Sequence, residues 1–225
     1  TLAPLGIKLH KPLTAVRELI TTIRRLYQGE TLTFEGKSVT FSSASIVYGR
    51  PGIEIWLAGR GPKMLAMGGE LADGVVLDFV YKDSLQYWVD LIREGAARSA
   101  NNPRIAYSTA IITSQQTYDE VRPHMTYRLV DSPPEVREKI GMSDQNAAAV
   151  RETMVSSGLE EAGKLIKTEW VDPFVIKGTP QECAAELESL MAKYQMNEYL
   201  LPILNTEEAS RLMKEVSEVL RFPSD

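Results

Sequence analysis

The residues with the clearest chemical content in this chain are glycines. Ala58-Gly59-Arg60-Gly61-Pro62-Lys63 closes the apolar run that begins at Ile53 and opens a segment with helical periodicity that reaches Ala72. Glycine lets the backbone approach a ligand closely. A helix that starts at Pro62 presents free N–H groups with a partial positive charge, an arrangement that holds phosphate well. Arg60 and Lys63 add cationic side chains. Gly59, Arg60, Gly61 and Pro62 are therefore candidate contacts for a phosphate-bearing ligand. The same turn also closes strand–helix units that bind nothing, and the residues alone leave both readings open.

Other chemistries have less support. Cys183 is the sole cysteine, which excludes an internal disulfide and any multi-cysteine metal site. It lies at a helix start, Thr179-Pro180-Gln181-Glu182-Cys183, and is expected to be a structural thiol. His10 and His124 stand far apart without spaced carboxylates, so no metal site is expected. Lys177-Gly178-Thr179-Pro180 has the residues of an anion site, but a capping box from Thr179 to Glu182 explains all of them. Glu70 is expected to pair with a basic neighbour rather than move protons, and Asp73-Gly74 to turn the chain into a strand. A net charge of −5 without a basic run argues against nucleic acid or an anionic membrane as partner. With no long apolar run and no secretion segment at the start, the expectation is a soluble, cytoplasmic protein.

The elements that must position these residues follow from periodicity. Leu13, Val16, Ile20, Ile23 and Tyr27 recur at helical spacing between Pro12 and Gln28, with Gly29 just beyond. Leu32 and Phe34, then Val39 and Phe41, alternate on either side of Glu35-Gly36-Lys37, as in a hairpin. The order strand, glycine turn, helix from Pro62 to Ala72 and strand from Val75 makes a β-α-β unit. Asp83 caps a helix that carries Leu85, Trp88, Val89 and Ile92, with Trp88 assigned to the core and Tyr81 to a loop wall beside the presumed site. Residues 114–170 read as a helical insertion, with capping boxes at Thr117…Glu120 and Ser132…Glu135 and stops at Gly141 and Gly158; Tyr118, Tyr127 and Trp170 are its candidates for covering a pocket or meeting a subunit. A helix from Pro180, a strand and a terminal helix from Thr206 to Arg221 complete a chain read as one domain, 1–225.

Core strands are predicted at about 53–58, 75–79, 105–113 and 199–204, four of the roughly eight that close a parallel barrel. The sheet is then open, or lacks an N-terminal half, or is completed by a second copy of the chain.

The run Ala58-Gly59-Arg60-Gly61-Pro62-Lys63-Met64-Leu65-Ala66-Met67-Gly68-Gly69-Glu70-Leu71-Ala72-Asp73-Gly74-Val75-Val76-Leu77 resembles the late-barrel segment of the luciferase-like superfamily. The likeness is nearest to the methylenetetrahydromethanopterin reductases, which use the deazaflavin coenzyme F420. Leu5-Gly6-Ile7 with Pro12 to Glu18, Tyr27-Gln28-Gly29-Glu30 with Phe34-Glu35-Gly36, and Gly178 to Glu182 fit in the same order. The resemblance implies an α/β fold, a (β/α)8 TIM barrel of which this chain covers mainly the C-terminal half. It also implies hydride transfer between the deazaflavin and a small organic substrate, with the phosphate-bearing tail on Gly59 to Pro62 near the strand end at Leu77 and Asp78. The ring-binding parts belong to upstream β/α units, so no catalytic residue is carried over. Two alternatives stand beside it: an FMN-dependent monooxygenase of the same superfamily, and a non-catalytic half-barrel that binds cofactor or dimerises. A homodimer is the expected assembly.

Overall fold

A computed structural model describes residues 11–220, and its chain divides into two compact units. The first holds residues up to 76 together with 87–105; the second holds 77–86 and 106 onwards.

In the first unit, α1 spans Pro12–Tyr27, within a residue of its predicted end. Its most buried side chains are Ile20, Thr22 and Leu26, whereas Leu13, Val16, Ile23 and Tyr27 are half-buried, so the packed stripe is rotated from the predicted one. Periodicity of apolar residues misses Thr22, which satisfies its hydroxyl within the helix by donating to the Glu18 carbonyl at 2.7 Å and can then be buried. Strands β1 (Leu32–Glu35) and β2 (Thr40–Ala44) form the predicted hairpin, antiparallel, with a bulge between Leu32 and Phe34. The carboxylate of Glu18 fastens the hairpin to α1 by accepting the backbone N–H groups of Lys37, Ser38 and Val39 at 2.8, 2.9 and 3.0 Å.

Strand β3 (Trp56–Ala58), helix α2 (Pro62–Leu71) and the start of strand β4 (Gly74–Asp78) make the predicted β-α-β unit. The two strands pair in parallel, Trp56 against Gly74 and Ala58 against Val76. Helix α3 (Leu85–Ala97) packs on α2 backbone to backbone. A Cβ on Gly69 would lie 1.9 Å from the Ile92 carbonyl oxygen, and one on Gly95 1.8 Å from that of Ala66. Neither position tolerates a side chain at this separation. Asn101 closes the C-terminal end of α2 by donating to the carbonyls of Gly69 and Ala72. The next strand, β5 (Arg104–Ser108), begins beside β4, where the Arg104 N–H donates to the Asp73 carbonyl.

In the second unit, β4 and β5 end side by side, with the Phe79 N–H donating to the Ser108 carbonyl at 2.8 Å. The strand predicted at 105–113 is two strands. After β5 the chain changes partner, and β6 (Ile111–Ile112) pairs in parallel with β7 (Ile176–Lys177), a strand too short for its alternation to show in the sequence. Thr109 sits at the change and donates to the Phe174 carbonyl at 2.6 Å. Strand β8 (Glu198–Leu200) pairs in parallel with β5, Tyr107 against Tyr199, and stops before Pro202, which has no N–H for a ladder.

Helices α4 (Gln115–Val130), α5 (Pro134–Lys139), α6 (Asp144–Ser156), α7 (Gly158–Gly163) and α8 (Thr168–Val171) fill the helical segment. They enclose a core of residues such as Met125, Leu129, Val150, Trp170 and Phe174. Two predicted caps are displaced. Helix α4 starts earlier, at the Oγ of Ser114, which accepts the Thr117 N–H. Helix α5 starts at Pro134, and Ser132 instead donates to the carbonyl of Arg128. Helix α9 (Pro180–Tyr194) opens on the predicted box of Thr179 and Glu182. Helix α10 (Ala209–Val219) is held to α4 by Arg211, which donates to both carboxylate oxygens of Glu120.

The Glu18 anchor makes stability depend on pH. Three backbone N–H bonds favour the charged carboxylate and hold it below its ordinary value of 4.5. A depressed folded value means the contribution is complete above that ordinary value and disappears as pH falls through the lower folded one. Glu18→Gln is expected to unfold at lower denaturant than wild type at neutral pH, with the gap closing in acid. A gap that does not change with pH contradicts the assignment.

Candidate functional site

The turn singled out by the sequence lies between β3 and α2, in the first unit. Gly61 has φ +91, a left-handed value at which a side chain is strained, and open space surrounds the position a Cβ would take. Gly59 is tight for a different reason, since a Cβ there would meet Met64 Cγ at 2.6 Å and force that side chain to move. The carbonyl of Gly61 accepts the N–H groups of Met64 and Leu65 and so begins the helix. The N–H groups of Arg60, Gly61 and Lys63 have no acceptor among the described residues. Three unsatisfied donors at the positive end of a ten-residue helix, with the side chains of Arg60 and Lys63 exposed beside them, are the donor set a phosphate monoester or diester needs. A phosphate-bearing cofactor fits this cradle.

What surrounds the turn is structural. Glu70 pairs with Arg17 through two bonds of 2.7 and 2.8 Å, which hold its pKa below the ordinary carboxylate range, in keeping with its expected role as a paired carboxylate. Asp73 accepts the Ile55 N–H at 2.8 Å and two bonds from the Arg24 guanidinium at 3.2 and 3.0 Å. A groove of about 630 Å3 between α1 and α2 takes in Lys63 and Arg98, but its carboxylates, Glu18 and Glu70, are already engaged.

Leu77 and Asp78 end β4 in the second unit. Leu77 is 1% exposed and presents almost no surface, backbone or side chain, to a ligand. The Asp78 carboxylate is half-exposed, and accepts from Ser108 Oγ at 3.0 Å and from Arg128 Nη2 at 2.8 Å. Neither Ser108 nor Arg128 was picked out by the sequence; no local motif links them to Asp78, and only the fold brings them to it.

The remaining aromatic and nucleophilic residues settle into packing roles. Tyr81 does not stand free in a loop. Its ring lies 5.7 Å from that of Phe174 and its hydroxyl donates to Asp83. Trp170 and Tyr118 are buried in the helical core, Tyr127 is exposed, and Trp88 is half-buried against Tyr87 rather than in the core. At Gly178 to Glu182 the Glu182 carboxylate accepts the Thr179 N–H at 2.8 Å, which leaves a cap rather than an anion site. His10 and the stretch Leu5-Gly6-Ile7 lie outside the described residues. Among the described residues, no group of three or more His, Cys, Asp or Glu is placed to hold a metal, and no helix is long and apolar enough to cross a membrane.

The model of the luciferase-like monooxygenase family matches residues 2–195. The chain belongs to that family. Among similar proteins is the 5,10-methylenetetrahydromethanopterin reductase of Archaeoglobus fulgidus, 28% identical over an alignment of 201 residues, with 84% of this chain and 60% of the relative covered. The solved structure of the coenzyme F420 dependent tetrahydromethanopterin reductase from Methanopyrus kandleri superposes with a TM-score of 0.77 at 21% identity, covering 98% of this chain and 69% of that one. An F420-dependent secondary alcohol dehydrogenase in complex with an F420-acetone adduct gives 0.66 at 16% identity, covering 98% and 66%. The chain therefore has the α/β fold of the luciferase-like TIM barrel, of which it contains about four strands, and it spans about 60% of the length of the curated relatives it matches.

Cys183 lies near the start of α9. Its thiol is fully buried, and burial, followed by the nearby charges of Glu186 and Glu182, pushes it up to about 11. In native protein at about pH 8 it should resist maleimide labelling and react in full only on unfolding. Rapid native labelling would contradict this placement.

Proposed function

We propose that this chain is part of an F420-dependent oxidoreductase that transfers a hydride between the deazaflavin coenzyme and a small organic substrate, of the methylenetetrahydromethanopterin reductase kind. The observation that carries the reading is the set of unsatisfied N–H groups at Arg60, Gly61 and Lys63, set at the head of a helix behind a glycine turn. When bound, the deazaflavin supplies the carbon that accepts or gives the hydride, so the protein's work is binding, orientation and exclusion of water. In the first unit, Gly59, Arg60, Gly61 and Pro62 are the cofactor contacts: backbone donors hold the phosphate, and the Arg60 and Lys63 side chains add charge. In the second unit, Asp78 offers its half-exposed carboxylate, next to the buried Leu77. The names of the relatives favour the deazaflavin. The family description favours an FMN-dependent monooxygenase as the second reading, since FMN also ends in a phosphate.

The full-length protein should quench deazaflavin fluorescence on titration and, supplied with methylenetetrahydromethanopterin as hydride acceptor, oxidise the reduced coenzyme without consuming oxygen. Replacing Arg60 and Lys63 together by Ala should weaken that binding about tenfold, ~1.4 kcal/mol. A protein that retains only FMN and consumes oxygen is a monooxygenase, and the proposal fails.

A further inference from the structure

The end of β4 is held more firmly than a strand end needs. Phe79, which follows it, has φ 44, in the left-handed region that is costly for a bulky side chain. The surroundings hold it there. Its ring is 7% exposed within the helical core, and its N–H donates to the Ser108 carbonyl at 2.8 Å. The residue before it is anchored three times more: the Asp78 carbonyl accepts from Arg128, Oδ2 accepts from Arg128 Nη2 at 2.8 Å, and Oδ1 accepts from Ser108 Oγ at 3.0 Å. Both anchors are themselves shielded, Arg128 with a side chain 12% exposed and Ser108 at 7%. The Asp78 side chain is nevertheless 46% exposed. Each carboxylate oxygen has one lone-pair direction occupied, so each keeps acceptor capacity, and the group is fixed in orientation. Strained backbone gathers where a structure must hold a group in place, and the C-terminal ends of parallel strands are where α/β folds bind ligands.

We infer that Asp78 is a ligand-binding acceptor, that Arg128 and Ser108 are its positioning residues, and that the part of the ligand it meets is a hydrogen-bond donor, a hydroxyl or an amide N–H. An ionised carboxylate accepts and does not donate, so a phosphate or carboxylate of the ligand is turned away from this position. Arg128 Nη2 donates to both the carbonyl and Oδ2 of Asp78, so this part of its guanidinium faces Asp78 itself. The inference rests on the oxidoreductase reading, and the deazaflavin coenzyme is its probe.

The test is fluorescence titration of the full-length protein with coenzyme F420, for wild type, Asp78→Asn and Arg128→Ala, with thermal midpoints recorded alongside. Asp78→Asn should weaken binding at least tenfold. Arg128→Ala should weaken it as well, and added ethylguanidinium should restore the affinity by filling the vacated place while the thermal midpoint stays unchanged, whereas a merely structural arginine would recover the midpoint along with the affinity. If Asp78→Asn does not fold, the Arg128→Ala titration with and without ethylguanidinium decides. Wild-type affinity in Asp78→Asn, or an Arg128→Ala defect that ethylguanidinium leaves unchanged, overturns the inference. A wild-type protein that does not bind the coenzyme at all overturns the oxidoreductase reading, and this inference with it.

Discussion

The arrangement of the first unit depends on one carboxylate. Asp73 accepts the N–H of Ile55 and both terminal nitrogens of Arg24, while its own N–H donates to the Ile55 carbonyl and its carbonyl accepts the N–H of Arg104. One residue thus aligns the start of β4 with the segment leading into β3 on one side and with β5 on the other, and draws α1 onto the end of α2, whose Leu71 carbonyl Arg24 also reaches. A charged group half-shielded from water is stable there because it is paired and hydrogen-bonded on several sides. The glycine turn inherits its geometry from this clamp. With β3, α2 and β4 fixed in register, the donors of Arg60, Gly61 and Lys63 are set before any ligand arrives, and binding then orders little further.

Close packing adds a second restraint. The backbone contact of α2 with α3 at Gly69 and Gly95 leaves no room for either helix to shift, so the N-terminal end of α2 is held by packing as well as by the turn. In the second unit the logic differs. Its helices form a core of their own, and the end of β4 is oriented by the Phe79 ring in that core, by the Arg128 guanidinium of α4 and by the Ser108 hydroxyl of β5.

Much of this was legible in the residues, because it rests on local signals. Pro12 before a periodic run, the Thr179 to Glu182 box and the succession of apolar run, Gly-x-Gly-Pro and apolar run each encode an element within about ten residues, and each element formed. The four core strands were found for the same reason, although the predicted strand at 105–113 divides at Thr109, where the chain exchanges one partner for another. Pairing is a property of distant segments, and alternation cannot report it. The caps at Ser114 and Ser143 escaped because competing signals nearby were stronger, or because Asn146 rather than Glu or Gln closes the box. In the candidate site, the glycine turn was visible and the anchoring of Asp78 was not. Arg128 stands 50 positions from Asp78, and the left-handed Phe79 has no residue signature, since a phenylalanine there contradicts every local preference.

The central claim is that the coenzyme's phosphate is held by backbone N–H groups at the head of α2. Amide nitrogen–proton correlation spectra of the full-length protein, recorded with and without coenzyme F420, test it most directly. The account predicts that the amides of Arg60, Gly61 and Lys63 move strongly downfield on binding, as donors do when they gain a charged acceptor. Bound coenzyme with those three amides unmoved would contradict it.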